Sequence, residues 1–267
     1  MKTKKVWERT ASRLANRSPT CEYICLKHLK EAELIQSSLL PTGPLRDPTV
    51  DLDFRFTPYF EVGGDFTDYF RLPDGSVGIY LGDVVGKGLP ATLYSALVMG
   101  SLRGTHKTGT ESAQVLELLN KRLVQRPLPA RFCCTLYAVF DPPARTLTFS
   151  NAGLPFPLLV SEKGCSPLGE GGLPSGMFPE AQYTTHVVQL SPGDGVLFAT
   201  DGLHEARNPE GVEFSDERLR EAWSQCWTRT AAGALDLVLT RLESFLGGSC
   251  PHDDVTAVVL KVPHLEP

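Results

Sequence analysis

The chain has 267 residues, of which 42% are hydrophobic and 21% are charged, and its formal net charge is −5 at pH 7. These values suit a globular protein with a complete hydrophobic core, and they exclude collagen-like, coiled-coil and wholly disordered chains. The negative charge is untypical of nucleic-acid-binding proteins, so we expect no nucleic-acid partner. No run of sequence approaches the roughly 18 apolar residues of a membrane-spanning helix, and we expect no transmembrane segment.

The N-terminal part of the chain differs in charge from the rest. Its first 30 residues carry eight Lys and Arg against two Glu, so the acidity lies in the remaining sequence. We interpret residues 1–25 as a basic lead-in or linker before one domain at 26–264; an electrostatic arm for a membrane surface or an acidic partner is the alternative. The start lacks the apolar centre of a signal peptide, and the seven cysteines include no CxxC pair. Both features favour a cytoplasmic protein with reduced thiols.

Hydrophobic periodicity and turn residues divide the chain into groups of strands and helices. The predicted elements, in chain order, are a helix at 26–40, strands at 50–60 and 76–81, helices at 90–102 and 111–124, strands at 135–140, 146–150, 156–160, 185–190 and 196–200, helices at 216–227 and 231–246, and a strand at 255–262. Residues 161–182 are rich in Gly and Pro and are expected to form a long loop, either a lid or a surface connection. Because strands and helices do not alternate regularly, the order favours packed antiparallel sheets flanked by helices over a doubly wound parallel sheet.

Acidic residues stand at the ends of several predicted strands. Asp65 follows the first strand, Asp83 the second and Asp201 the strand at 196–200, while Asp253 and Asp254 directly precede the last. Carboxylates that met at one edge of the sheets would repel each other unless hard divalent cations such as Mg²⁺ or Mn²⁺, which prefer oxygen ligands, lay between them. Two such ions about 3.5–4 Å apart suit phosphate chemistry. The structural alternative is that Asp and Gly simply favour the turns that follow strands.

Six motifs occur together in an order typical of one family. They are EAELIQSSLLP at 31–41, EVGGDFTD at 61–68, LGDVVGKGLPATL at 81–93, SNAG at 150–153, SPGDGVLFATDGLHEA at 191–206 and HDDVTAVVL at 252–260. On these motifs the chain resembles the metal-dependent serine/threonine protein phosphatases (PPM family), specifically their bacterial SpoIIE/RsbU-type branch, over roughly residues 28–262. The resemblance implies an α+β fold, a four-layer αββα sandwich of two mainly antiparallel sheets flanked by helices.

The resemblance also implies a two-metal site at one edge of the sheets. By position, the metal ligands and catalytic residues are Asp65, Asp83, Asp201 and Asp253, and the backbone carbonyl of Val84 is a further metal ligand. Gly64, Asp254 and Lys87 are expected around the ligands. The implied cofactors are two Mn²⁺ or Mg²⁺ ions, and the implied reaction is attack of a metal-activated water on a phosphoserine or phosphothreonine monoester.

The chain departs from the family pattern at one position of possible chemical importance. Leu154 stands where relatives carry His, which alters rate or specificity if that His acts in the reaction and changes little if it is structural. Lys87 is expected either to meet a phosphate or an acidic residue of a partner, or to be a solvated lysine at a helix start. Glu205 is expected to anchor its loop through hydrogen bonds, and His252 either to donate to the substrate or, the interpretation we favour, to cap the turn. Cys133 and Cys134 lack the Arg-bearing turn of a cysteine phosphatase and are interpreted as core residues.

The resulting prediction is a protein serine/threonine phosphatase whose substrate is a phosphorylated regulatory protein, such as an anti-sigma-factor antagonist. A catalytically weak or silent binding module on the same fold and a small-molecule phosphomonoesterase are the two alternatives. Relatives in this branch are often switched through a helix near the metal site, which here corresponds to 28–40. Docking of a partner or formation of a homodimer through this helix is our hypothesis for control of metal occupancy.

Overall fold

The computed structural model describes residues 19–105 and 111–264, which form two antiparallel sheets and their flanking helices. The first sheet has the order β1 (Leu45–Asp47), β2 (Val50–Thr57), β11 (Val255–Lys261), β10 (Gly195–Ala199), β7 (Leu158–Ser161) and β8 (Gly164–Pro167). The second sheet has the order β3 (Phe66–Arg71), β4 (Val77–Val84), β5 (Cys133–Asp141), β6 (Thr146–Ala152) and β9 (His186–Gln189). The helices are α1 (Pro19–Leu39), α2 (Gly88–Thr105), α3 (Ser112–Gln125), α4 (Asp201–His204), α5 (Ser215–Ser224) and α6 (Ala231–Leu246).

Three apolar cores separate four layers. The central strand β11 shows why, because its side chains alternate between two faces that are both buried. Val258 and Leu260 pack into the core between the two sheets, whereas Ala257 and Val259 pack against α5 and α6 on the outside of the first sheet. A third core lies between the second sheet and the pair α2 and α3, and Tyr80 of β4 belongs to it. The predicted αββα sandwich is therefore confirmed.

The predicted elements are all present, but several of their boundaries were wrong. Helix α1 begins at Pro19 rather than at residue 26, so residues 19–25 of the predicted lead-in are helical; residues 1–18 lie outside the described part of the chain. Strand β2 ends at Thr57 rather than at residue 60, because Pro58 has no N–H to continue the ladder. The division of the chain into a lead-in and a domain stays a prediction.

Three strands were missed: β1, which has only three residues, β3 and β8. β3 reads FTDYFR, in which adjacent aromatic residues obscure the period of two, and it is held in a hairpin with β4. β8 is a strand of only four residues inside the segment 161–182 that we predicted to be a loop, and it pairs with β7. Among the described residues, no helix combines the length and apolar composition needed to cross a lipid bilayer.

Candidate metal centre and active site

The strand register places the acidic strand ends at one edge of the sandwich. In the second sheet Phe66 pairs with Gly82, so Asp65 at the start of β3 lies beside Asp83 near the end of β4. In the first sheet Ala199 pairs with Ala257, so Asp201 and the Asp253–Asp254 pair lie at neighbouring strand ends. The antiparallel pairing therefore collects, in space, carboxylates that are far apart in the chain.

Asp65 is buried between the two sheets and is held by two threonine hydroxyls. Its side chain belongs to the second sheet, yet Oδ2 accepts hydrogen bonds from Thr200 Oγ1 at 2.7 Å and Thr256 Oγ1 at 2.6 Å, both at strand ends of the first sheet. Asp65 is only 2% exposed. These two hydrogen bonds fix the orientation of the carboxylate and tie the sheets together at the edge where the other carboxylates lie.

Asp254 fastens the loop that precedes β3. Its Oδ1 accepts a hydrogen bond from the backbone N–H of Tyr59 at 2.7 Å, and its Oδ2 accepts from those of Gly64 at 2.6 Å and Asp65 at 3.4 Å. Both oxygens are thus engaged by backbone donors, and the residue is buried. Asp254 therefore positions the loop that carries Asp65, a predicted ligand.

Two glycines allow this loop to pass close to its neighbours. A Cβ added at Gly64 would lie 2.8 Å from the carbonyl oxygen of Val84 and 3.1 Å from Ala91 Cβ. A Cβ at Gly63 would overlap the carboxylate of Asp254. The Val84 carbonyl, a predicted ligand, is therefore brought against the Asp65 loop by the absence of side chains at 63 and 64.

Lys87 forms an ion pair with a predicted ligand while its side chain remains partly exposed to solvent. Its Nζ lies 2.8 Å from Asp253 Oδ2, donates to the carbonyl of His252, and sits 4.9 Å from the ring centroid of Tyr59. The two side chains are 37% and 40% exposed, so solvent weakens the attraction. The His252 side chain is exposed and takes no part in this contact.

The carboxylates perturb one another strongly. Burial, followed by the charges of Asp83 and Asp254, raises the pKa of Asp65 well above its ordinary value. Burial and the charges of Asp201, Asp253 and Asp254 raise the pKa of Asp83 to about 7, and a hydrogen bond with Asp65 opposes this shift. Burial and Asp253 also raise the pKa of Asp201, while His204 lowers it. This concentration of negative charge is what bound cations would relieve.

The donor chemistry fits hard divalent cations, although the ligands are not already drawn together. The predicted side-chain ligands are all carboxylates, and the predicted main-chain ligand is a carbonyl. Together they form a set of oxygen ligands only, which Mg²⁺ and Mn²⁺ prefer. Among the residues that the structure describes, no three His, Cys, Asp or Glu side chains form a ready-made metal-binding group. The carboxylates are close enough to raise the pKa values of Asp65, Asp83 and Asp201 but do not form a preassembled group, so their assignment as ligands stays a prediction.

A cavity of about 340 Å³ opens beside Asp83 and Asp201. Its walls include Leu154, the residue at the usual His position, and Cys134. Cys134 is partly buried rather than a full core residue, unlike the buried Cys133. Burial together with the charges of Asp83 and Asp201 raises the pKa of Cys134 to about 12, so its thiol is neutral and unsuited to nucleophilic attack.

Sequence reasoning missed four residues that support the site. Besides Thr200 and Thr256, these are Gln36 of α1 and Thr92 of α2. Gln36 Nε2 donates to the carbonyl of Gly63 at 2.9 Å and its Oε1 accepts from the Gly63 N–H at 3.1 Å, while Thr92 Oγ1 donates to the same carbonyl at 2.8 Å. Thr200 and Thr256 were detectable as hydroxyls one residue before Asp201 and two residues after Asp254 in the motifs, whereas nothing local marks Gln36.

Comparisons with known proteins agree with this arrangement. A sequence model of the family described as Stage II sporulation protein E (SpoIIE) matches residues 73–263. The chain is 26% identical over 231 residues to "Phosphoserine phosphatase RsbU" of Bacillus subtilis, covering 85% of this chain and 68% of that protein. It is 26% identical over 260 residues to "Protein IcfG" of Synechocystis sp., covering 87% of this chain and 41% of that protein, so it spans less than half of IcfG.

Solved structures show the same fold. The SiaA-PP2C domain of Pseudomonas aeruginosa superposes with a TM-score of 0.80 at 21% identity, covering 92% of this chain and 99% of that one. A structure of RsbX in complex with magnesium gives a TM-score of 0.62 at 15% identity, covering 82% of this chain and 98% of that one. The sandwich described above is therefore a PP2C-type phosphatase fold.

Replacement of Asp83 by Asn should stabilise the metal-free protein. The pKa of Asp83 is about 7 in the folded protein but near 4 in the unfolded chain. Asp83 therefore contributes its full stability below pH 4, and this contribution is lost as the pH rises through about 7 and the folded-state carboxyl ionises. In EDTA at pH 8, Asp83→Asn should unfold at least about 4 °C above wild type, which corresponds to about 1–2 kcal/mol for a domain of this size. The advantage should shrink at pH 5.5.

Thermal unfolding at the two pH values measures this effect, with Glu210→Gln on an exposed loop as the control. A lower melting temperature for Asp83→Asn than for wild type at pH 8 in EDTA would contradict the electrostatic account of the site.

A methyl group at Gly64 should disrupt the loop that carries Asp65. Gly64→Ala must displace either the Val84 carbonyl or Ala91, so we expect a loss of about 1–3 kcal/mol in stability and a Mn²⁺ requirement raised by about tenfold or more. Gly43→Ala is the matched control, because nothing lies within 4 Å of a Cβ at that position. Metal titrations and denaturant unfolding measure both effects, and equal behaviour of the two variants would refute the close approach.

Proposed function

We propose that this chain, which belongs to the Stage II sporulation protein E (SpoIIE) family, is a protein phosphatase that hydrolyses phosphoserine or phosphothreonine on a regulatory protein. The observation that carries the proposal is the meeting of Asp65, Asp83, Asp201 and Asp253 at one edge of the sandwich, where burial and neighbouring carboxylates raise the pKa values of Asp65, Asp83 and Asp201. Similarity to a relative named as a phosphoserine phosphatase supports the same activity.

The proposed cofactors are two Mn²⁺ or Mg²⁺ ions, held by these four carboxylates and the carbonyl of Val84. When bound, such ions would activate water for attack on phosphorus and neutralise charge on the phosphoryl oxygens. The magnesium complex of RsbX, a protein of the same fold, supports divalent cations as the class of cofactor.

Several residues of the chain prepare this site without acting on the substrate. Thr200 and Thr256 hold Asp65 in one orientation, because both hydroxyls donate hydrogen bonds to its Oδ2. Asp254 holds the loop before β3 through three backbone N–H groups. Lys87 compensates part of the charge of Asp253 and keeps the turn before β11 close to the start of α2. The catalytic carboxylates are thereby kept near each other despite their repulsion.

The substrate class follows from the relatives rather than from the site. RsbU carries the name of a phosphoserine phosphatase, and we propose by analogy that this chain acts on a phosphorylated partner-switching regulator, for which an anti-sigma-factor antagonist is the specific candidate. A reducing, cytoplasmic setting forms part of the proposal, and the free thiols of Cys133, Cys134, Cys165, Cys226 and Cys250 support it.

Activity should depend on the metal and on the carboxylates. Hydrolysis of an aryl phosphate should require Mn²⁺ or Mg²⁺, stop in EDTA, and fall by about 100-fold or more in Asp201→Asn, because that variant removes a charged ligand. Glu210→Gln should retain full activity. Steady-state kinetics with each metal measures these effects, and hydrolysis that survived both EDTA and Asp201→Asn would refute the site.

The same assay separates the two alternative functions. A silent binding module would hydrolyse neither aryl phosphate nor phosphopeptide at any Mn²⁺ concentration. A small-molecule phosphomonoesterase would prefer sugar or nucleotide phosphates to phosphoserine peptides in kcat/KM. The proposed protein phosphatase should show the reverse preference.

Helix α1 is our candidate for control of the site through a second copy of the chain. The side chain of Gln36 on α1 donates a hydrogen bond to the carbonyl of Gly63 and accepts one from its N–H, next to the loop that carries Asp65. On the same helix Leu34 and Ile35 are 71% and 64% exposed, and on the neighbouring α2 Leu93 is 66% exposed. Exposed large apolar side chains on adjacent helices are typical of an interface, and burial of this surface would fix α1 against the metal site.

A charge on this surface should weaken both assembly and metal use. Leu34→Glu should lower the dimer fraction in analytical ultracentrifugation and raise the Mn²⁺ concentration for half-maximal activity by about threefold or more. Leu118→Glu, at an exposed position on α3, is the control. If Leu34→Glu left both assembly and metal-dependent activity unchanged, the proposed role of α1 would be wrong.

A further inference from the structure

The cavity beside Asp83 and Asp201 has one wall that the proposed metal chemistry does not explain. This wall comes from α4 and α5 and contains His204, Glu205 and Arg220. His204 lowers the pKa of Asp201 through its charge, so this wall adjoins the carboxylate cluster. A group bound against the wall would therefore lie next to the reacting phosphate.

Two nitrogen atoms on this wall have no hydrogen-bond partner. His204 Nδ1 and Arg220 Nε are both enclosed by protein atoms and unpaired; within residues 19–105 and 111–264, the other enclosed side-chain atoms of this kind belong to Arg145 and Trp227, which do not line this cavity. Buried polar groups in folded proteins are nearly always paired, because an unpaired group has lost its water without compensation. Both side chains line the cavity, so a ligand bound there is a candidate for the partner that the chain itself does not supply.

Among the described residues, the Arg220 guanidinium, like that of Arg145, lacks the hydrogen-bond partners that other arginines near the sheets have. Arg103, for comparison, donates to Asp68 and to the carbonyl of Leu39. In the part of the chain that the structure describes, Arg220 forms neither a hydrogen bond nor an ion pair, although Glu205 and Asp216 line the same cavity. A guanidinium is permanently charged and presents a planar fork of N–H donors that matches an oxyanion.

Another part of the cavity lining offers no side-chain donor for an oxyanion. It consists of the apolar side chains of Leu154 and Phe156. An apolar lining excludes water and strengthens any charge interaction across the cavity. The wall of α4 and α5 is therefore where an oxyanion in this cavity would find its donors.

We propose that Arg220, assisted by His204, forms an oxyanion-binding subsite that positions the substrate beside the carboxylate cluster. The oxyanion is either the phosphoryl group being hydrolysed or the carboxylate of an acidic residue next to the phosphoserine. The inference deepens the proposed function and rests on it for the identity of the substrate. Arg220 is thus a positioning and specificity residue, and it has no part in holding the metals.

Kinetics of Arg220→Ala and Arg220→Lys tests the subsite. The substrates are an aryl phosphate and two phosphoserine peptides, one with Glu and one with Ala on each side of the phosphoserine. Arg220→Ala should raise KM by about tenfold or more with kcat within about threefold, and Arg220→Lys should recover part of the loss. Arg218→Ala, on the same helix but outside the cavity, is the matched control.

The substrates distinguish the two sources of the oxyanion. If the phosphoryl group is bound, KM rises for all three substrates and inhibition by inorganic phosphate weakens. If a flanking carboxylate is bound, KM rises only for the peptide with Glu. Unchanged KM for every substrate and unchanged phosphate inhibition, as in Arg218→Ala, would overturn the proposal.

A binding measurement separates this proposal from the proposed activity. Fluorescence anisotropy with a labelled Glu-phosphoserine-Glu peptide, in EDTA, requires no turnover. We expect Arg220→Ala to bind the peptide at least about fivefold more weakly than wild type and Arg218→Ala, with thermal unfolding as the check on folding. Equal binding by all three proteins would reject the subsite even if wild type proved to be an active phosphatase, and a selective loss in Arg220→Ala would support it even if the protein proved inactive.

Discussion

Repulsion between carboxylates at one edge of the sandwich is the constraint on which the rest of this structure depends. Asp83 faces the charges of Asp201, Asp253 and Asp254, and its pKa rises to about 7. A fold optimised only for stability would place amides or apolar residues there, since unrelieved buried charge costs free energy. The arrangement is explained if the charge serves to attract cations, because metal binding then stabilises the folded state and offsets the electrostatic repulsion of the metal-free protein.

The surrounding structure holds these groups together against their repulsion. Thr200 and Thr256 cross from the first sheet to bind Asp65 of the second, and Asp254 fixes the loop before β3 through backbone donors. Gln36 links α1 to the same loop through its two hydrogen bonds with the backbone of Gly63. Only a few hydrogen bonds separate α1 from the Asp65 loop, which gives a physical route from the proposed interface to the proposed metal site.

Much of this could be predicted from the sequence, because the informative residues are local. The order of strands and helices favoured packed antiparallel sheets flanked by helices, and the resemblance implied the four layers. The carboxylates at strand ends predicted the acidic edge, and the structure brings Asp65, Asp83, Asp201 and Asp253 to that edge. What escaped prediction depends on contacts between distant segments: the pairing that makes a strand of β3, the partners of Gln36, and the ion pair that occupies Lys87. The unpaired Arg220 likewise has no local signal, since its meaning comes from the cavity around it.

The central claim is that these carboxylates gather around hard cations, and the positions of bound metal ions test it most directly. Crystals of the protein grown with Mn²⁺ should show, by anomalous scattering, two neighbouring peaks bounded by Asp65, Asp83, Asp201 and Asp253, with Asp254 still bound to the backbone of Gly64. Crystals saturated with Mn²⁺ that showed no peak among these four side chains would contradict the account.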